Sequence, residues 1–345
     1  VKQPKSRMGL RIAAYLFTII IITYVGVFMN TPYIVYQPGS ASEVAPMVKV
    51  ENADDSEQGT FMMTTVSASY ANVALLVASY FNKYAEVVTK ESRLGDKTEE
   101  EYAATQVYYM DSSQSLAVQA AYTAAGIPYE DVVDYMYVIS LTDPANQDKL
   151  QPGDRIESVD GTAVTDPDSL SKLLAASQIG DKATVTLLRA GKELKEQLTL
   201  IEVKDSADAA GRPGFGITIG ALQKVEPQRE GVDVSFASTN VGGPSAGLMF
   251  SMEIYNQLVP GDLTKGYRVA GTGTINAAGE VGAIGGVKHK IVAAEREEAE
   301  IFFVPIKNYA EAKARADQIG TSMKLVPVSS MNEALKYMEE LPAKK

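Results

Sequence analysis

The sequence predicts an α+β chain with an N-terminal transmembrane helix and a β-rich insert interrupting a mixed helix–strand domain. Three observations carry this. An uncharged apolar run lies near the start, turn-punctuated strand patterns fill the middle, and helical and strand patterns alternate on both sides of them. The 345 residues allow about two domains at the usual ~100–200 residues each. With 32 Lys+Arg against 43 Asp+Glu the formal charge is −11, which argues against electrostatic capture of nucleic acid. The chain has no Cys, which excludes disulfides, thiol nucleophiles and thiolate metal sites, and its single His excludes a multi-imidazole metal centre.

The run from Ile12 to Met29 carries no charge and has the ~18–20 apolar residues a membrane span requires. Lys2, Lys5, Arg7 and Arg11 precede it, whereas only Lys49 is basic in the thirty residues that follow. This asymmetry predicts a single-pass anchor with a cytoplasmic N-terminus and the remainder outside the cytoplasm. Asn30-Thr31-Pro32-Tyr33 after the run does not read as a small-x-small cleavage site, so the anchor is expected to stay attached. From Tyr36 to Gly59 the polar, Pro/Gly/Ser-containing sequence predicts a linker or loop-rich entry. Gly59 to Val66 reads as a strand, and Ala71 to Tyr84 and Ser112 to Ala125 as helices. Thr89 to Glu101 is charged and expected to be exposed.

A different pattern begins near Val133. Met136–Leu141 reads as a strand. The run Leu150-Gln151-Pro152-Gly153-Asp154-Arg155-Ile156-Glu157-Ser158-Val159-Asp160-Gly161 reads as turn, strand and tight turn. Asp166-Pro167-Asp168 opens a helix with Leu170, Leu173 and Leu174 on one face, and two further strands follow to Ile201. This order of elements resembles a PDZ domain over roughly Val133 to Glu202. The resemblance implies that an extended peptide docks beside Met136–Leu141, at Tyr137, Val138 and Ile139, against a helix face with Leu170 and Leu174. The Gly-rich carboxylate-binding loop of that family has no counterpart directly before Met136, where Asp134 and Tyr135 stand.

Beyond the insert, Val232–Phe236 reads as a strand leading into Val241-Gly242-Gly243-Pro244-Ser245-Ala246-Gly247 and an apolar helix. Gly242 and Gly243 permit a sharp turn, and N–H groups at a helix start can face a developing oxyanion. A Ser hydroxyl needs a base. In Gly285-Gly286-Val287-Lys288-His289-Lys290 the base could be His289 or the adjacent Lys288, if burial lowers that lysine's pKa.

Gly243–Gly247 and Gly285–Lys290 together resemble the proteolytic domain of the Lon protease family, in motif, order and spacing. The resemblance implies Ser245 as nucleophile, Lys288 as its base, Gly242 and Gly243 beside the oxyanion, and Thr272, with Thr274 as second candidate, as the hydrogen-bond partner of Lys288. His289 is then a bystander. Together with the anchor and insert, the whole resembles membrane-anchored Lon-like proteases of Gram-positive bacteria.

The implied organisation is an anchor over 1–35, a linker and the first protease segment over 36–128, a PDZ-like domain over 129–205, and the second protease segment over 206–345. The implied activity is a Ser–Lys endopeptidase, without metal or cofactor, acting outside the cytoplasm on unfolded or extended polypeptides. An oligomer is compatible with this reading. No G-x-x-x-x-G-K-[ST] phosphate loop occurs, so no nucleotide is expected and cleavage is expected to be independent of ATP. The alternative is an inactive Lon-like scaffold that binds partners.

Overall fold

The computed structural model describes residues 6–54, 56, 58–205, 208–238 and 241–344. The basic residues Lys2 and Lys5, used for the orientation of the anchor, lie outside them. The chain forms two compact units, residues 1–39 with 65–96, and residues 40–64 with 97–345.

In the first unit, helix α1 (Ser6–Phe28) contains the apolar stretch Met8–Phe28, none of it buried. Helix α2 (Val73–Tyr80) is capped by Asn72, and helix α3 (Lys90–Leu94) by Thr89. The strand Glu86–Thr89 pairs antiparallel with residues 33–36.

The second unit holds two cores. One surrounds a parallel array in the order Lys324–Val328, Ile301–Pro305, Arg268–Gly271 and the start of Thr60–Asn72. Side chains alternate along each strand. Phe61, Met63, Val269 and Phe303 face helices α4 (Glu99–Ala125), α6 (Gly247–Leu258) and α9 (Met331–Glu340). Met62, Ala270, Phe302 and Val304 face α7 (Val287–Arg296) and α8 (Tyr309–Ile319).

The insert is a separate sheet in the order Ile217–Pro227, Tyr129–Leu141, Arg155–Val159, Lys182–Arg189 and Lys192–Thr199. Helix α5 (Pro167–Ala175) packs on it through Leu170 and Leu174, which are core residues. Asp166 caps α5 and Pro167 occupies its first turn, where a missing N–H costs nothing.

Two expectations are corrected here. The stretch from Tyr36 to Gly59 is not a linker. The strand Asn30–Glu43 reaches into it, a 3-10 turn spans Ala45–Met47, and Val48–Val50 pairs with Val234–Phe236. Val44, Val48 and Val50 enter the core, and that burial outweighs the local turn chemistry of the surrounding Pro, Gly and Ser. Met136–Leu141 is not an open sheet edge either, because Ile217–Pro227 hydrogen-bonds along one side of it, while on the other Met136 and Tyr137 pair with Ile156 and Arg155 and Val138 bonds to Gly153 and Asp154. Tyr137 and Val138 are buried beneath these neighbours. The insert's sheet thus extends to Pro227, past the boundary expected at 205.

Candidate active site

Ser245 sits in a 3-10 turn, Pro244–Ala246, that leads directly into α6. Gly243 before it has φ +89° and ψ 157°, a region essentially confined to glycine. A Cβ on Gly247 would lie 2.7 Å from Ser113 Oγ and 2.8 Å from Ile275 Cγ2, so the turn packs too tightly for a side chain there. Helix α4 fixes the turn from outside: Gln106 O accepts from Gly243 N at 2.8 Å and Ser113 Oγ donates to Pro244 O at 3.0 Å.

The carbonyl of Ser245 is held twice, by Thr272 Oγ1 at 2.9 Å and Gly273 N at 2.9 Å. Both donors follow the strand Arg268–Gly271, which places Ser245 at the carboxyl end of the parallel array. Thr64, at the same end, donates from Oγ1 to Gly271 O at 3.0 Å.

Lys290 completes the arrangement. Its Nζ donates to Thr64 O at 2.6 Å and lies 2.9 Å from Ser245 Oγ. The residue is 3% exposed, and burial, which disfavours the ammonium form, pulls its pKa down to about 7 from 10.5. A neutral amine beside a hydroxyl can receive its proton; an ammonium cannot.

The structure corrects the lysine. Lys288 is 46% exposed and pairs with Glu311 at 3.3 Å, away from Ser245. Successive helical residues turn by about 100°, so two positions along α7 face nearly opposite directions. Val287, Lys290, Ile291 and Ala294 recur at i, i+3, i+4 and i+7, and all are buried. Thr272 therefore orients Ser245 rather than Lys288. Gly243 also differs from its expected role, since its N–H is engaged by Gln106. The first turn of a helix leaves its leading N–H groups without intrahelical acceptors, which at this turn are those of Ser245 and Ala246. Gly242 abuts α4, where a Cβ would come 2.9 Å from Gln106 Cβ. His289 is buried on α7 about 100° round from Lys290. Among the described residues no cluster of His, Asp and Glu is placed to hold a metal.

A buried Ser–Lys pair thus sits at the end of a parallel sheet in a chain that also holds a separate six-stranded insert sheet, and comparison with known proteins gives the kind of domains these are. Residues 225–340, which include Ser245 and Lys290, match the Lon protease (S16) C-terminal proteolytic domain, and residues 124–200 match the PDZ domain. The chain carries a Lon-type proteolytic domain and a PDZ domain.

The Lon protease of Azospirillum brasilense is 30% identical over 170 residues, 49% of this chain and 20% of that protein. Lon protease 2 of Bacillus subtilis (strain 168) is 26% identical over 215 residues, 61% of this chain and 37% of its own. The first of these relatives are covered over only 11% to 20% of their length. A crystal structure of the PDZ domain of the SdrC-like protein from Listeria monocytogenes is 28% identical and covers 25% of this chain and 87% of that one, with a TM-score of 0.23.

Proposed function

We propose that the protein is a serine endopeptidase in which Ser245 is the nucleophile and Lys290 the general base. The observation that carries this is the buried Lys290 amine 2.9 Å from Ser245 Oγ. Neutral Lys290 accepts the hydroxyl proton as Oγ attacks the scissile carbonyl carbon. The N–H groups of Ser245 and Ala246 receive the developing oxyanion. Lys290, now an ammonium, returns the proton to the leaving amine and the acyl-enzyme remains. Neutral Lys290 then takes a proton from the water that attacks the acyl carbon and returns it to Ser245 Oγ as the C–Oγ bond breaks, which releases the carboxylic acid and restores the free enzyme. Thr64 O aims the amine at Oγ, while Thr272 and Gly273 keep the Ser245 main chain in place.

The substrate is an extended polypeptide, because a main-chain carbonyl must reach the turn. Helix α1 anchors the chain as a single span, with the protease outside the cytoplasm, and the charge asymmetry around the run supports this.

The PDZ module takes its peptide at the sheet's outermost strand, Ile217–Pro227, rather than at Met136–Leu141. Gly214-Phe215-Gly216 lies directly before that strand, with Gly216 at φ +69° and Phe215 buried in the module's core. This short glycine-flanked turn stands in the place of the carboxylate-binding loop that Met136 lacks before it.

Substitution separates the two lysines. Ser245→Ala and Lys290→Ala should each abolish hydrolysis of an unstructured protein substrate, and the two changes together should cost little more than either alone. Lys288→Ala should keep activity within a few-fold of wild type. Loss of activity in Lys288→Ala with retention in Lys290→Ala would reverse the assignment.

A further inference from the structure

Helix α2 has the wrong residues facing outward for a helix in water. Ala74, Val77 and Ala78, with Phe81 one residue past its end, recur at i, i+3, i+4 and i+7, and all are exposed. Val77 is 58% and Phe81 80% exposed, with Tyr80 beside them at 86%. A water-facing stripe is normally polar. Here the stripe is wholly apolar, while the helix's serine, Ser79, is buried.

The position of this helix identifies what covers it. Asn72 caps α2 by accepting from Leu75 N at 2.8 Å, and its Nδ2 donates to Val27 O at 2.9 Å, in the last turn of α1. The apolar stretch of α1 has 21 residues. At ~1.5 Å per residue it matches the ~30 Å hydrocarbon layer of a bilayer. Val27 then lies where hydrocarbon gives way to headgroups, and α2 is tied to that level. Aromatic residues with one polar end favour this zone, and Tyr33 and Tyr70 of the same unit are also exposed. Lys83, two residues after Phe81, is exposed and suited to lipid phosphate.

We propose that the Ala74, Val77, Ala78 and Phe81 face, with Tyr80, docks on the lipid bilayer at the boundary of acyl chains and headgroups, in the leaflet from which α1 emerges. The anchor is then a span together with an interfacial helix. The proposal rests on α1 crossing the membrane, and the experiment tests both.

The chain contains no Trp, so a single introduced indole is its only one. Full-length Phe81→Trp and, separately, Ile20→Trp are reconstituted into vesicles of phosphatidylcholine and phosphatidylglycerol. The lipids carry bromine either near the glycerol backbone or at mid-chain. The indole at position 81 should lose emission with shallow bromine and resist aqueous acrylamide, while that at position 20 should be quenched by mid-chain bromine. Position 81 open to acrylamide and untouched by bromine, with position 20 still quenched, overturns the docking and leaves the span. Position 81 shielded from both quenchers would place a protein surface there and overturn the lipid assignment. Position 20 unquenched by mid-chain bromine overturns the span and the docking with it.

Discussion

Lys288 and Lys290 belong to the same helix and the same motif, yet one is a surface cation and the other is sealed beside a hydroxyl. Sequence resemblance put forward Lys288 alone, and the structure places Lys290 beside Ser245 instead. The helical period held the answer: Val287, Ile291 and Ala294 mark the apolar stripe of α7, and Lys290 lies on it whereas Lys288 does not. A buried lysine also burdens the fold. Below pH 7 it is charged in both states and its desolvation opposes folding in full. Between about 7 and 10.5 the unfolded chain binds the extra proton, so stability rises with pH across that window. Lys290→Met should therefore stabilise the protein by about 2–4 kcal/mol near pH 7, at ~1.4 kcal/mol per pKa unit. Chemical denaturation over this range should show the advantage shrinking as the pH approaches 10.5.

At the scale of elements, legibility depended on how local the determining contact was. The Pro-Gly turn, the Asp-Gly turn and the capped helix α5 were readable because each is set by adjacent residues. The partner of Tyr129–Leu141 was not, since Ile217–Pro227 returns from far along the chain and local patterning is silent about strand order. The start of α4 was missed although it carries a capping box, Thr98 with Glu101, ahead of the stretch read as helical. That helix joins the two cores. Gln106 and Ser113 hold the Ser245 turn, while Tyr108 donates to Ala221 O at 3.4 Å and Ser115 to Gln223 O at 2.5 Å on the insert's outer strand. A peptide bound by the PDZ module should protect amides within Ile217–Leu222 from hydrogen exchange. Protection confined to Met136–Leu141 would return the docking site to the inner strand.

For the molecule as a whole, the chemistry proposed at Ser245 would draw on every layer of the proteolytic domain. The strand beginning at Thr60 supplies the carbonyl that aims the amine, α6 carries on from the nucleophile's turn, α7 brings the lysine, and the packed faces of the sheet exclude the water that would keep that lysine charged. The lowered pKa is thus a property of the assembled fold, which no short motif encodes. The most direct measurement is the pH dependence of Ser245 labelling by a fluorophosphonate, in wild type and in Lys290→Ala. The rate constant should rise with pH, level off with a midpoint near 7, and nearly vanish in the variant. A wild-type rate still climbing toward the ordinary lysine value of 10.5, or an unchanged profile in Lys290→Ala, would contradict the assignment of Lys290 as the base.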